Sequence, residues 1–288
     1  MLHRPTSSSF VANGLRIAVH EWGGDGPPVL LAHPTGFHGV IWAPVAEHLV
    51  ARGRRVFSFD FRGHGDSAAP GIDAESYSWH GFADDALAVA HHLGIAGEPD
   101  LLACGHSKGG AALLLGEIAA PGTYARIWTY EPIMFAGTRP LDEEFGMARA
   151  ARRRRNEWPS IDAALEAYAS KPPMNVMRAD ALRAYVEYGL RLRDDGRYVL
   201  KCRPEVEARI YTMGPTHGAF EHLAEIAAPV RVVCGATSTD ISPAFGGRIA
   251  ERLHRGSLEV MIGRGHFGPQ EDPAATVESM LRFATDAS

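Results

Sequence analysis

A glycine-flanked serine stands where a short apolar run gives way to a helical pattern. The segment Gly105-His106-Ser107-Lys108-Gly109-Gly110 fits G-x-S-x-G, which presents a serine hydroxyl on a sharp turn between a strand and a helix. Gly105 and Gly109 lack β-carbons and allow neighbouring chain to approach such a turn. The helix N-terminus behind the serine favours developing negative charge. Ser107 is therefore the predicted nucleophile, on a nucleophile elbow.

A histidine near the end of the chain is the predicted base. A serine hydroxyl is a poor nucleophile at neutral pH and needs a base that takes its proton. The chain has 14 histidines, but His266 stands apart because it follows the last predicted strand, in the glycine-flanked loop 263–267. In a parallel sheet this position lies at the same carboxyl edge as Ser107.

The elements that would position both residues form an alternating pattern. Short apolar runs rich in β-branched residues alternate with longer helical patterns, which predicts an α/β fold with a mostly parallel central sheet flanked by helices. The predicted core strands are Leu15–Glu21, Pro28–Ala32, Arg55–Asp60, Asp100–Cys104, Arg126–Glu131, Val230–Gly235 and Leu258–Ile262.

The pattern changes between Phe135 and Ile226. This stretch is mainly helical, is rich in Arg, Tyr and Met, and lies after one core strand and before the next. The prediction is a core formed by residues 1–134 and 227–288, with a helical cap, or lid, inserted over 135–226.

Composition narrows the class of protein. The 288 residues are 45% hydrophobic and 22% charged, with a net charge of −5 and three cysteines. This balance gives no reason to expect a nucleic-acid or anionic-membrane partner. No apolar run approaches the roughly 18 residues of a membrane span, and no signal peptide is evident. We expect a cytoplasmic protein, monomeric or homodimeric, that acts on a small molecule.

Four segments, in chain order, resemble the α/β-hydrolase fold superfamily. The run 33–37 (H-P-T-G-F) resembles its H-G-x oxyanion loop, with Pro34 where glycine is usual. The run 60–67 (D-F-R-G-H-G-D-S) matches D-x-R-G-x-G-x-S, and the segments around Ser107 and His266 match the elbow and the histidine loop. The resemblance covers nearly the whole chain and implies a serine hydrolase, esterase-like, with a helical lid.

The resemblance also implies an acid that orients the histidine, as in a catalytic triad. Asp240, in the loop after the strand Val230–Gly235, is the first candidate, because the family's acid usually falls there. Glu131, directly after the preceding strand, is the alternative, since some relatives place the acid there. As a structural residue, Glu131 would instead be a capping carboxylate beside Pro132.

The same family pattern implies an oxyanion hole. One donor would be the backbone N–H of Lys108, after the nucleophile, and the other the N–H of Thr35, because Pro34 has none. Phe37 and Phe267, beside these loops, are the candidate substrate-pocket residues. The Lys108 side chain would either reach solvent or an acidic neighbour such as Glu131, or hold a carboxylate on the substrate.

The function expected from these residues is hydrolysis of a small or medium carboxylic ester, or of a lactone or thioester, through an acyl-enzyme. No metal or organic cofactor is expected. Carbon–carbon bond hydrolysis of the meta-cleavage type is the leading enzymatic alternative, and a cofactor-free haloperoxidase or perhydrolase activity is another. A slow-turnover ligand-binding receptor on the same fold is the alternative from a different class, since a fold alone does not name a substrate.

Overall fold

A computed structural model describes residues 4–72, 76–137, 146–214, 217–239 and 241–286. Within these ranges the core is an eight-stranded sheet in the order β1-β2-β4-β3-β5-β6-β10-β11. Its strands are β1 (Thr6–Ala12), β2 (Leu15–Gly23), β3 (Pro28–Ala32), β4 (Arg55–Phe59), β5 (Leu102–His106), β6 (Arg126–Tyr130), β10 (Val230–Gly235) and β11 (Gly256–Met261).

The sheet is mostly parallel. Six neighbouring strands run in one direction: β4, β3, β5, β6, β10 and β11. By contrast, β1 pairs antiparallel with β2, and β2 pairs antiparallel with β4. The α/β fold with a mostly parallel central sheet is thus confirmed. Since the carboxyl ends of the parallel strands share one edge, the loops after β3, β5, β6, β10 and β11 lie near each other.

Helices cover both faces of this sheet. The helices are α1 (Ala43–Ala51), α2 (Trp79–His92), α3 (Lys108–Ala119), α4 (Gly146–Arg153), α5 (Ile161–Ala169), α6 (Ala179–Gly189), α7 (Pro204–Met213), α8 (Pro243–Arg252), α9 (Gly268–Glu271) and α10 (Pro273–Thr285), with 3-10 turns at Gly39–Trp42, Met174–Val176 and Ala219–Glu225.

The alternation of side chains along β3 divides the core in two. Val29 and Leu31 belong to the cluster that packs on α1 and α10. Leu30 and Ala32 belong to the cluster formed with α2, α3 and α8. All four side chains are fully buried, as expected for a central strand whose two faces are both covered.

The chain between β6 and β10, which we call the insertion, carries further helices and strands. It contains the helices α4 to α7 and a small antiparallel sheet in the order β7-β9-β8, made of β7 (Glu157–Trp158), β8 (Leu190–Leu192) and β9 (Tyr198–Leu200). The sequence predicted a mainly helical segment here, and the small sheet is an addition to it. Helix α6 packs against the 3-10 turn at Gly39–Trp42 and against α1, which places the insertion beside the loop after β3.

None of the helices in the described ranges is both long enough and apolar enough to cross a membrane.

Asp60 holds the loop after β4 to the loop after β3. Its Oδ1 accepts a hydrogen bond from the Gly39 N–H at 2.6 Å, and its Oδ2 accepts one from the Asp66 N–H at 2.7 Å. Burial opposes ionisation of this carboxyl, but the neighbouring His20 holds its pKa well below the usual range. A charged, fully used carboxylate therefore fixes two loops at the carboxyl edge of the sheet.

Arg62, in the same loop, forms an ion pair with Asp85 of helix α2. Its Nε and Nη2 donate to the two oxygens of Asp85 at 2.9 and 2.7 Å, and its backbone N–H donates at 3.1 Å. Asp85 is fully buried. A bidentate pair of this kind adds geometric specificity as well as energy.

We expect Asp85→Ala to lower the free energy of unfolding by about 3 kcal/mol, because it leaves a largely buried guanidinium without its carboxylate. Urea unfolding of the variant measures this change. Asp84→Ala is the matched control, because Asp84 is exposed on the same helix. Equal stability of the two variants would contradict a fastening role for the Arg62–Asp85 pair.

Candidate active site

The predicted nucleophile stands at a strained turn. β5 ends at His106 and α3 begins at Lys108, which leaves Ser107 between them with φ +53° and ψ −114°. A positive φ is costly for a residue with a side chain and is typically kept at functional sites. The sequence predicted the turn at Gly105, but the strand continues because His106 still pairs with Tyr130 of β6. The Ser107 N–H donates to the Tyr130 carbonyl at 2.8 Å.

The glycines around Ser107 allow close backbone packing. A β-carbon at Gly105 would lie 2.5 Å from the Gly110 nitrogen, and one at Gly109 would lie 2.2 Å from the Ala32 carbonyl oxygen. Both distances are too short for any other residue without movement of backbone. The start of α3 therefore lies directly against the end of β3, where the predicted oxyanion loop begins.

His266 is hydrogen-bonded to Glu131. Its Nδ1 lies 2.6 Å from Glu131 Oε2. Glu131 is fully buried, whereas the imidazole keeps about a fifth of its surface exposed. Since a carboxylate can only accept, Nδ1 carries the proton and donates it to Oε2. The imidazole is thus held in one orientation and one tautomer.

Glu131 is the centre of a wider network. Its Oε1 accepts from the Gly235 N–H at 2.9 Å, and its Oε2 accepts also from the Ser238 hydroxyl at 2.8 Å. Its own backbone has φ +46°, a second strained position at a strand end. Glu131, the alternative acid of the sequence analysis, thus occupies the Nδ1 side of His266, while Asp240 lies outside the described residues.

Ser238 and Tyr130, two supports of this network, were not predicted from the sequence. Ser238 stands in a run of small polar residues, which gives no signal that separates it from its neighbours. The Tyr130 hydroxyl donates to the Gly265 carbonyl at 2.6 Å and so ties the histidine loop to β6. The Glu271 carboxylate accepts the Gly265 N–H at 3.1 Å from the other side.

The histidine loop lies beside the serine turn. The His266 ring is 4.9 Å, centroid to centroid, from the ring of His106, the residue before Ser107. The structure thus brings together three of the predicted site residues: Ser107, His266 and Glu131.

The loop after β3 is fixed by His33. Its Nε2 accepts the Phe61 N–H at 3.1 Å, so Nδ1 carries the proton and donates to the Pro34 carbonyl at 2.7 Å. Burial, together with the nearby Lys108 amine, lowers the pKa of His33 well below its usual value. A neutral histidine therefore holds the backbone next to Thr35, a buried residue.

The two predicted pocket aromatics are neighbours. The rings of Phe37 and Phe267 are 5.7 Å apart, and Phe37 also packs 4.8 Å from Tyr185 of α6 in the insertion. Phe37 therefore connects the loop after β3 with the histidine loop and with the insertion.

Among the residues that the structure describes, the Lys108 side chain reaches neither solvent nor a carboxylate partner. It is fully buried, with Nζ 4.0 Å from the Phe61 ring centroid and 4.4 Å from that of Phe82. Within the described residues Nζ has no hydrogen-bond partner. Burial lowers the pKa of this amine well below 10.5. The expectation that the side chain reaches solvent or Glu131 is wrong, because the side chain runs into the core beneath the oxyanion loop.

No group of three or more His, Cys, Asp or Glu side chains in the described ranges is arranged to hold a metal ion. The three cysteines, Cys104, Cys202 and Cys234, are free and buried.

Comparison with known proteins gives a family and a fold. The sequence pattern of the alpha/beta hydrolase family matches residues 29–279. A non-heme haloperoxidase from Rhodococcus erythropolis is 36% identical over 108 residues, which are 38% of this chain and 35% of that protein. The match thus spans about a third of the relative's length.

Solved structures share the fold over almost the whole chain. One is E-2-(acetamidomethylene)succinate hydrolase, 20% identical, with a TM-score of 0.75 over 98% of this chain and 100% of that one. Another is an esterase from Rhodococcus sp. ECU1013, 22% identical, with a TM-score of 0.72 over 97% of this chain and 98% of that one.

We expect Lys108→Met to raise the free energy of unfolding by about 1 kcal/mol or more at neutral pH, because a buried amine without a hydrogen bond is replaced by an apolar chain of similar size. The advantage should shrink as pH rises toward 10.5. In that range the unfolded chain binds a proton that folded Lys108 does not, so the stability of the unsubstituted protein rises by up to about 1.4 kcal/mol per pH unit. Urea unfolding at several pH values between 7 and 10 measures this difference. A constant difference across that range would contradict a lowered pKa of Lys108.

Proposed function

This chain belongs to the α/β-hydrolase family, and we propose that it is a serine hydrolase that cleaves a small or medium carboxylic ester through an acyl-enzyme. The observation that carries the proposal is the 2.6 Å contact between His266 Nδ1 and the buried Glu131 carboxylate, next to a serine held at φ +53°. A base oriented by a buried acid beside a strained serine is the arrangement that activates a hydroxyl.

The proposed reaction has two halves. Ser107 Oγ attacks the ester carbonyl carbon while its proton passes to His266 Nε2. The tetrahedral oxyanion accepts hydrogen bonds from the backbone N–H groups of Thr35 and Lys108. The carbon–oxygen bond to the alcohol then breaks, and His266 returns the proton to the leaving oxygen. Water, deprotonated by His266, attacks the acyl-enzyme and releases the acid and free Ser107.

Glu131, rather than Asp240, is the proposed acid. Its carboxylate accepts from Gly235, Ser238 and His266, so its orientation is fixed from three sides. When His266 gains the serine proton, the charge of Glu131 at Nδ1 stabilises the imidazolium.

The insertion is proposed to act as a cap over this site. Three contacts support the assignment. Tyr185 packs on Phe37, the Tyr185 carbonyl lies 3.1 Å from His38 Nε2, and Lys201 pairs with Asp66 at 2.7 Å. Together they join the insertion to both core loops at the carboxyl edge of the sheet. Such a cover would keep water from the acyl-enzyme until the alcohol has left.

A fluorophosphonate probe tests the activated serine. We expect one adduct per chain on the unsubstituted protein and none on Ser107→Ala. His266→Ala should label at least about 10³-fold more slowly, because the hydroxyl has lost its base. Intact mass spectrometry over time measures the adduct, and circular dichroism checks that each variant is folded. A folded, unlabelled protein would favour the ligand-binding alternative over hydrolysis.

Two matched variants distinguish the two acids. We expect Glu131→Gln to lower kcat for p-nitrophenyl esters by about 10²- to 10⁴-fold, since the amide removes the charge that orients and stabilises the protonated histidine. Asp240→Asn should stay within about twofold of the unsubstituted protein, because Glu131 already occupies the Nδ1 side of His266. Steady-state kinetics with aryl esters measure both. The opposite ranking would return Asp240 to the triad.

A further inference from the structure

Four polar side chains of the insertion meet beside the predicted oxyanion loop. Arg154 follows α4, Tyr168 lies on α5, Tyr185 on α6 and Glu207 on α7. We call this set the tyrosine–arginine cluster. One nitrogen of the guanidinium, Nη1, donates to Glu207 Oε2 at 2.5 Å. The other, Nη2, donates to the Tyr168 hydroxyl at 2.8 Å and to the Tyr185 hydroxyl at 2.6 Å.

The hydrogen-bond inventory of the cluster leaves two donors unused. Each tyrosine hydroxyl accepts from Arg154 and still carries its own proton. Among the described residues, neither hydroxyl donates to a protein acceptor. Tyr185 is only 3% exposed, and burial raises its pKa well above the usual value, so its proton stays in place. Tyr168 is half-buried. Both hydroxyls can still donate, and for the buried Tyr185 an unused donor costs about 1–3 kcal/mol.

The cluster borders the proposed reaction site. A β-carbon placed on Gly36, the residue after Thr35, would lie 2.5 Å from Glu207 Oε1. The Tyr185 ring packs 4.8 Å from Phe37, which in turn packs on Phe267 beside His266. The cluster thus lies on the insertion, directly against residues 36 and 37 of the loop after β3.

The charges of the cluster indicate which kind of chemical group it can bind. Glu207 balances Arg154, so the cluster carries little net charge. The guanidinium also polarises both hydroxyls, because a hydroxyl that accepts from a cation is a stronger donor. Two polarised donors on nearly perpendicular rings 5.3 Å apart suit one acceptor oxygen.

We propose that the tyrosine–arginine cluster is a specificity site that binds a second oxygen, a ketone or carboxylate oxygen, on the acyl part of the substrate. The aromatic rings of Phe37 and Phe267 would then contact the carbons between that oxygen and the scissile carbonyl. This proposal rests on the proposed ester hydrolysis. It also moves the expected recognition of a substrate carboxylate from Lys108, whose amine is enclosed by Phe61 and Phe82, to the insertion.

Acyl esters of matched length test the proposal. The substrates are the p-nitrophenyl esters of pentanoic and hexanoic acid, their 4-oxo and 5-oxo counterparts, and the monoesters of glutaric and adipic acid. For the unsubstituted protein we expect kcat/KM to be at least about tenfold higher for an oxygen-bearing ester than for its plain counterpart. The preferred series, oxo or dicarboxylic, distinguishes a ketone from a carboxylate.

The tyrosine variants connect that preference to the cluster. Tyr168→Phe and Tyr185→Phe each keep the ring and remove one hydroxyl, and each should reduce the ratio of kcat/KM between the two esters by about tenfold, the size of one hydrogen bond to a substrate. The loss should fall mainly on the oxygen-bearing ester. Tyr188→Phe, on the same helix as Tyr185 but outside the cluster, should keep the ratio.

The possible outcomes are separable. A protein that labels with fluorophosphonate and hydrolyses the plain esters, but shows no preference for an oxygen-bearing one, would overturn the specificity site and leave the proposed hydrolysis intact. The same holds if all three tyrosine variants change the ratio equally. Absence of both labelling and hydrolysis would instead remove the proposed function. Thermal melts of each variant exclude loss of folding as the cause of a changed ratio.

Discussion

The site depends on one buried carboxylate. Glu131 is fully enclosed and accepts hydrogen bonds from the Gly235 backbone, the Ser238 hydroxyl and His266 Nδ1. A buried charge is tolerated only when it is fully hydrogen-bonded, so these three donors are needed for the fold and not only for any reaction. The same bonds connect the end of β6, the loop after β10 and the histidine loop. The Glu131 carboxylate therefore sets both the position of His266 and which of its ring nitrogens carries the proton.

Parallel pairing explains why this carboxylate lies near the serine. β5 and β6 are neighbours, and His106 pairs with Tyr130, so Ser107 and Glu131 are the next residues on adjacent strands. Both leave the sheet with positive φ, +53° and +46°. Strain of this kind persists where the surroundings determine the backbone conformation more strongly than the residue does. Here the surrounding bonds are Ser107 N–H to Tyr130 O and Glu131 N–H to Val233 O, both 2.8 Å.

Much of this arrangement can be predicted from the sequence, because it depends on residues that are close together along the chain. The strand–serine–helix pattern, the histidine after the last core strand and the parallel sheet all follow from apolar runs and their spacing. The partner of His266 Nδ1 is not local, since candidate carboxylates follow two neighbouring strands in the sequence. Asp240 stands five residues beyond Gly235, whereas Glu131 directly follows Tyr130. This difference in spacing can be interpreted only when the tertiary pairing of β6 with β10 is known. The short strands β7 to β9 were missed because two or three residues carry no measurable period.

The two cations near the oxyanion loop differ in their partners, and this decides what each can do. Lys108 points beneath the loop into aromatic rings, where burial lowers the pKa of its amine. Arg154 lies on the other side, in the insertion, where Glu207 and two tyrosine hydroxyls accept its N–H groups. A guanidinium stays charged when buried, whereas the pKa of a lysine amine shifts readily. In the proposed reaction the strand-to-helix turn would supply the backbone donors, and we propose that polar recognition of the substrate falls to the insertion.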